Sequence, residues 1–133
     1  MIFPTRFFAI AFASASLCGC TNDVVSSSHI TRADAADIVD RGWIPAVLPG
    51  SSRDIRESHN LDINVGHGTF VFEPVDAQSF EAALVPIPAG HPTRARSRDA
   101  LESSGYSFYS YEDFDIAVNW TAHKGEFWLG PSQ

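Results

Sequence analysis

The chain has 133 residues, nine Lys and Arg against sixteen Asp and Glu for a formal net charge of −7, and two cysteines. That length suits one core and not two, and the acidic balance argues against electrostatic binding to nucleic acid or to anionic headgroups. Cys18 and Cys20 flank a single glycine, a spacing too short for an unstrained disulfide, so no disulfide framework is expected.

The first twenty residues read as an export address. Arg6 precedes the apolar run Phe7 to Ala13, which is shorter than the roughly 20 residues a bilayer span requires. Leu17-Cys18-Gly19-Cys20 then resembles the lipobox cut by lipoprotein signal peptidase. The expectation is a signal peptide over residues 1–19, lipidation of Cys20, a serine-rich flexible tether over 20–29 and a single domain over 30–133. Ordinary secretion with cleavage after Ala13-Ser14-Ala15 is the alternative. Cleavage before Cys20 removes Arg6 and no acid, which leaves the mature chain more acidic still. Thr21 in place of aspartate after the modified cysteine resembles the sorting signal for the outer membrane, facing the periplasm.

In chain order, Thr31 is suited to cap a helix with Asp34 at its third position, Ile30 to staple onto Ala35, and Ala35, Ile38 and Val39 to share one face before Arg41-Gly42 closes it. Trp43-Ile44-Pro45 leaves extended. After the turn residues Pro49-Gly50-Ser51-Ser52, Asp54 to Val65 is suited to a strand with polar interruptions and Thr69 to Phe72 to its buried partner; Gly66 and Gly68 between them mark a hairpin or a close backbone approach. Asp76 is placed to cap a second helix with Val75 stapled to Phe80, Phe80, Ala83 and Leu84 inward and Pro86 as its stop. A short helix over Ser97 to Ser104 ends at Gly105.

Three strands complete the pattern. Tyr106 to Tyr111 is aromatic, Ile116, Val118 and Trp120 alternate, and Glu126 to Leu129 is last, with His123-Lys124-Gly125 as the tight turn before it and Gly125 suited to a positive φ. The predicted class is α+β: a mainly antiparallel sheet of about five strands with two or three helices packed on one face.

The runs Arg41-Gly42-Trp43-Ile44-Pro45, Leu48 to Ile55, His59-Asn60-Leu61-Asp62-Ile63-Asn64 and Ala117-Val118-Asn119-Trp120 together resemble a family of small bacterial lipoproteins. The resemblance covers most of the mature chain. It implies lipidation and one α+β domain, and brings no activity with it.

No catalytic motif stands out. His59 and His67 are not on one helical face, no H-E-x-x-H or cysteine pair is present, and Asp62 to Gly66 lacks the later ligands of a calcium loop. Gly50-Ser51-Ser52 and Ser103-Ser104-Gly105 do not form a nucleophile elbow. The cluster Arg94-Ala95-Arg96-Ser97-Arg98 reads as a solvated loop. The aromatic residues from Trp43 to Trp128 read as core and edge packing, with some able to line a recognition groove.

The expected function is a membrane-anchored, periplasm-facing binding or envelope-structural module, with a small cell-envelope hydrolase as the alternative. Cys20 is the lipidation residue, and the candidate binding residues are Trp43, Arg53, His59, Asn60, Asp62 and Asn64. Asn60, Asp62 and Asn64 have a second reading, in which their short polar side chains bond the backbone of an irregular strand. No catalytic residue, metal or cofactor is assigned. The expected partners are the membrane, through the lipid, and an envelope protein or small ligand.

Overall fold

The computed structural model describes residues 23–131. Cys20 and the whole signal region lie outside them. Seven strands, β1 (Val24–Thr31), β2 (Arg53–Asn60), β3 (Val65–Val71), β4 (Val85–Pro86), β5 (Ser107–Tyr111), β6 (Phe114–Asn119) and β7 (Lys124–Leu129), form one antiparallel sheet in the order β1-β2-β3-β7-β6-β5-β4. Three short helices, α1 (Ala36–Asp40), α2 (Ala77–Ala82) and α3 (Arg98–Ser103), cover it. The α+β class and the antiparallel sheet are as the sequence implies, with seven strands where about five were expected.

The first additional strand comes from the segment read as tether. Residues 24–29 lie in β1, which pairs with β2 from Val24 opposite Asn60 to Thr31 opposite Arg53. Serines are poor strand formers alone, but here Ser26 and Ser27 have cross-strand partners in Ser58 and Glu57, and such pairs are the unit of sheet stabilisation. The second is β4, two residues paired with Ser110 and Tyr109.

Side-chain alternation divides the sheet into two faces. On one, Ile55, Phe70, Phe127, Ile116, Val118, Phe114 and Tyr109 meet Ala35 at the start of α1, Ile44 and Leu48 of the 43–49 segment, Phe72 just after β3, and Phe80 and Leu84 in and just after α2. Each fully buried side chain of this size contributes about 1.5–3 kcal/mol. On the other face Phe108 and Ala117 pack with Ala95, Ile87, Leu101, Tyr106 and Trp128, so α3 lies opposite the other two helices and not beside them. Neither predicted staple forms. Ile30 is 76% and Val75 85% exposed, because β1 turns Ile30 away from α1 and a 3-10 turn over Pro74–Asp76 precedes α2. The Thr31 and Asp34 bonds do form reciprocally, each at 3.2 Å, although regular helix starts only at Ala36.

Both predicted tight turns shift by a few residues. Gly66 and Gly68 sit inside β3, and the β2–β3 turn is residues 61–64. Gly125 sits inside β7, and the turn before it is residues 120–123. Of the two readings given to Gly66 and Gly68, close approach is the one that holds for Gly68. Gly68 faces Phe127 and Phe70 faces Gly125 across the β3–β7 pair, so each Phe ring lies over the glycine opposite. A Cβ at Gly68 would run into the Phe127 ring, and one at Gly125 would come within 2.5 Å of the Phe70 ring.

The basic cluster is likewise not simply solvated. Arg94 bonds Asp115 on β6 through its backbone N–H at 2.5 Å and its guanidinium at 2.8 Å, and reaches the Gly130 carbonyl. Arg98 lies 5.1 Å above the Phe108 ring and pairs with Glu102. Burial of Asp115, which is 5% exposed, demands such a partner.

Gly68→Ala is expected to lower stability by about 2–3 kcal/mol through overpacking against Phe127, read as a fall in denaturant midpoint. Gly66→Ala, whose Cβ would meet nothing closer than 3.6 Å, should stay within about 0.5 kcal/mol of the parent. Equal effects of the two would contradict the packing assigned to β3 and β7.

Candidate functional site

β2 is the strand that gathers the polar groups. Its alternation puts Ile55, Glu57 and His59 on the core face, all buried. His59 Nδ1 lies 2.5 Å from Glu57 Oε1, and the Ser27 hydroxyl donates to Glu57 Oε2 at 3.0 Å. A carboxylate only accepts, so His59 carries hydrogen on Nδ1 and Ser27 spends its one proton on Glu57. His29 Nε2, 2.9 Å from Ser27 Oγ, is then left to donate to the hydroxyl. The Trp43 ring closes the group from outside, stacked on the His59 ring at 3.9 Å between centroids and 10° between planes.

The predicted residues therefore separate into three places. Trp43 and His59 are brought together. Arg53 lies at the opposite end of β2, paired with Glu73 at 2.6 Å in the open, where such a pair contributes about 0–1 kcal/mol. The Asp54 next to it takes φ 49 at the bulge between Arg53 and Arg56. Asn60 ends β2, and Asp62 and Asn64 lie in the β2–β3 turn that follows. Asn60 Oδ1 accepts from the backbone N–H groups of Asp62 at 2.9 Å and Ile63 at 3.3 Å, and Asn64 takes φ 51. The β6–β7 turn repeats this arrangement, with Asn119 Oδ1 accepting from Thr121 and Ala122 and His123 at φ 53. Two turns built alike assign Asn60 and Asn64 to backbone geometry.

Glu57 is not among the candidate binding residues read from the sequence. The signal for it was present in the in-phase run Ile55, Glu57, His59, which places an acid at an inward position. The imidazole and carboxylate have the form of a dyad, but among the described residues no hydroxyl or thiol bonds the His59 ring. His59 and His67 point to opposite faces, since His67 follows the Gly66 that pairs with His59. Among the described residues there is no group of three or more His, Cys, Asp or Glu placed to hold a metal.

The second face carries an open groove of about 1050 Å³. It exists because the 87–106 segment covers β5, β6 and β7 but leaves the β2–β3 side bare. His67 and Trp128, direct partners across β3 and β7, form its floor with ring centroids 5.4 Å apart and planes at 29°. Trp128 is braced on its other side by Phe108 at 6.0 Å. Arg94, Arg96 and Ser97 line the wall given by the covering segment, and Ser58, Asn60 and Val65 line the opposite one. Half of the His67 side chain is exposed, and Glu126 lies 3.9 Å from its Nε2. The sequence presented these residues as a basic cluster and scattered aromatics, because only the β3–β7 pairing brings residue 67 beside residue 128. Of the candidate binding residues, His59 and Asn60 touch this groove and Trp43, Arg53, Asp62 and Asn64 do not.

Asn60→Ala should cost about 1–2 kcal/mol in denaturant unfolding, by releasing two backbone N–H groups from their acceptor. Asp62→Ala, with an exposed side chain, should change stability by less than about 0.5 kcal/mol. The reverse order would show that the turn is held by another residue.

The comparisons address one part of the chain. A family model described as the YbbD head domain matches residues 23–71, the stretch running through β1, α1, β2 and β3. No curated protein and no solved structure matches. Over those residues, which include Ser27, Trp43, Glu57, His59 and His67, the chain is similar to the YbbD head domain.

Proposed function

We propose that this chain is an exported, Cys20-anchored domain of the cell envelope, facing the periplasm, that binds a ligand in the groove between the 94–97 segment and the β2–β3 side of the sheet. The groove is the observation that carries the reading. A stable sheet face ordinarily buries its aromatic residues, and a His67–Trp128 stack left open beside polar walls is the composition of a binding cleft. Support for the anchor is the Leu17 to Cys20 pattern, and no helix among the described residues is long and apolar enough to cross a membrane. One acyl chain alone binds a bilayer marginally, and processed lipoprotein cysteines carry several, which makes the attachment lasting.

The test is made in intact cells on the full chain. Cys20→Ser should abolish incorporation of a fatty-acid analogue, and persistent labelling would contradict the anchor. A photoreactive residue placed at Ser97, on the groove wall, should give a discrete adduct. The same residue at Val75, on the other side of the sheet, should not. Equal yields at both positions, or none at Ser97, would contradict binding in the groove.

A further inference from the structure

We propose that the free edge of β1 pairs antiparallel with β1 of a second copy of this chain, joining two sheets into one across a twofold axis at Ser27. The two ends of the sheet are unlike. β4, at one end, has two residues and finishes in Pro86, and shortness and proline are ordinary means of blunting an edge. β1, at the other end, is eight residues long and reads Val-Val-Ser-Ser-Ser-His-Ile-Thr, with no proline, lysine or acid. The Leu61 N–H donates to the Asp23 carbonyl at 3.1 Å, which marks these two opposed residues as a hydrogen-bonded pair. Bonded and non-bonded pairs alternate along an antiparallel ladder. Val24, Ser26 and Ser28 therefore turn both backbone groups away from β2, and Ile30 turns its N–H away. Those groups are a template for one more strand.

The side chains along that edge fit their own copy. With Ser27 on the axis, Val24 falls opposite the second copy's Ile30 and Ser26 opposite its Ser28, so residues with outward backbone groups meet each other. Val24 and Ile30 are 50% and 76% exposed and point to the same face, being an even number of residues apart. The pairing sets them against each other at both ends of the joint, and apolar cross-strand pairs stabilise a sheet. The chain as a whole is acidic, which opposes self-association, but β1 carries no Asp, Glu, Lys or Arg. Repulsion between the charges beyond it is screened over about 8 Å at physiological salt. Just outside the strand the same register brings Asp23 beside the second copy's Arg32, opposite charges at each end. Because β4 offers no edge of comparable length, pairing through β1 closes at two copies.

The experiment is photocrosslinking in intact cells that express two differently tagged forms of the full chain. A photoreactive residue at Ile30 should give an adduct that carries both tags and joins residue 30 to the Val24–Ser26 segment of the other copy. The same residue at Val85, exposed on the opposite edge strand, should not. Ser28→Pro removes an N–H that points away from β2, so it blocks the second copy and leaves the β1–β2 ladder whole. It should lower the adduct at least about tenfold while the thermal midpoint stays that of the parent. Ser28→Lys keeps every backbone bond and sets two like charges diagonally across the axis. It should lower the adduct as well, and it decides the matter if the proline variant does not fold. No two-tag adduct at Ile30, equal yields at Ile30 and Val85, an adduct to a different protein instead, or an adduct that persists in a folded Ser28 variant would overturn the proposal. The groove reading stands or falls separately, on the adduct at Ser97.

Discussion

A carboxylate buried on the inner side of a sheet must be given partners, and Glu57 is the group around which one end of this molecule is arranged. Its side chain is fully covered, and an ionised group in that position costs several kcal/mol unless it is bonded. The two partners come from different strands. Ser27 is held by β1, directly opposite Glu57 in the register, and His59 by β2, with Trp43 stacked on its outer side. Pairing of the edge strand and closure of the 43–49 segment over the sheet are thus two consequences of the same burial. The first strand adds little apolar area of its own, since Val24 and Ile30 are half or more exposed, which makes the polar contact more important to its place.

The second constraint acts at the middle of the sheet. β3 and β7 join the β1–β3 portion to the β7–β4 portion, and their contact is the reciprocal arrangement of Gly68 under Phe127 and Gly125 under Phe70. Because alternate residues face opposite ways, the same register that seats these rings in the core sets His67 against Trp128 on the other face. The floor of the groove is therefore fixed by packing on the far side of the sheet. The wall formed by the 94–97 segment is fixed separately, by Arg94 gripping the buried Asp115. Similarity to the YbbD head domain stops at Val71, so it includes His67 and the Glu57 group but not Trp128 or Arg96.

Much of this was legible in the chain where local physics decides. The helix over 98–103, the strands β5 to β7 and the inward Phe80 and Leu84 follow from spacing and from glycine and proline stops. The Thr31–Asp34 bonds follow from capping chemistry. What could not be read were features set by a distant strand. Val24 to His29 looks like a tether until Glu57 is known to be buried opposite Ser27. Gly125 looks like a turn residue until Phe70 is placed across from it, and Arg94 looks solvated until Asp115 is found beneath it. Asn60 and Asn64 also carry turn chemistry, and the repeat of that chemistry at Asn119 to His123 was present in the sequence as a second asparagine at a strand end.

The account depends most on Glu57 holding β1 through Ser27, and a double-mutant cycle with Ser27→Ala and Glu57→Gln, combined with amide hydrogen exchange across Val24 to Thr31, measures that directly. The expected coupling is about 1–2 kcal/mol, with exchange in β1 accelerated in both single variants ahead of the rest of the sheet. Additive effects within about 0.3 kcal/mol, with β1 amides as protected as in the parent, would contradict it.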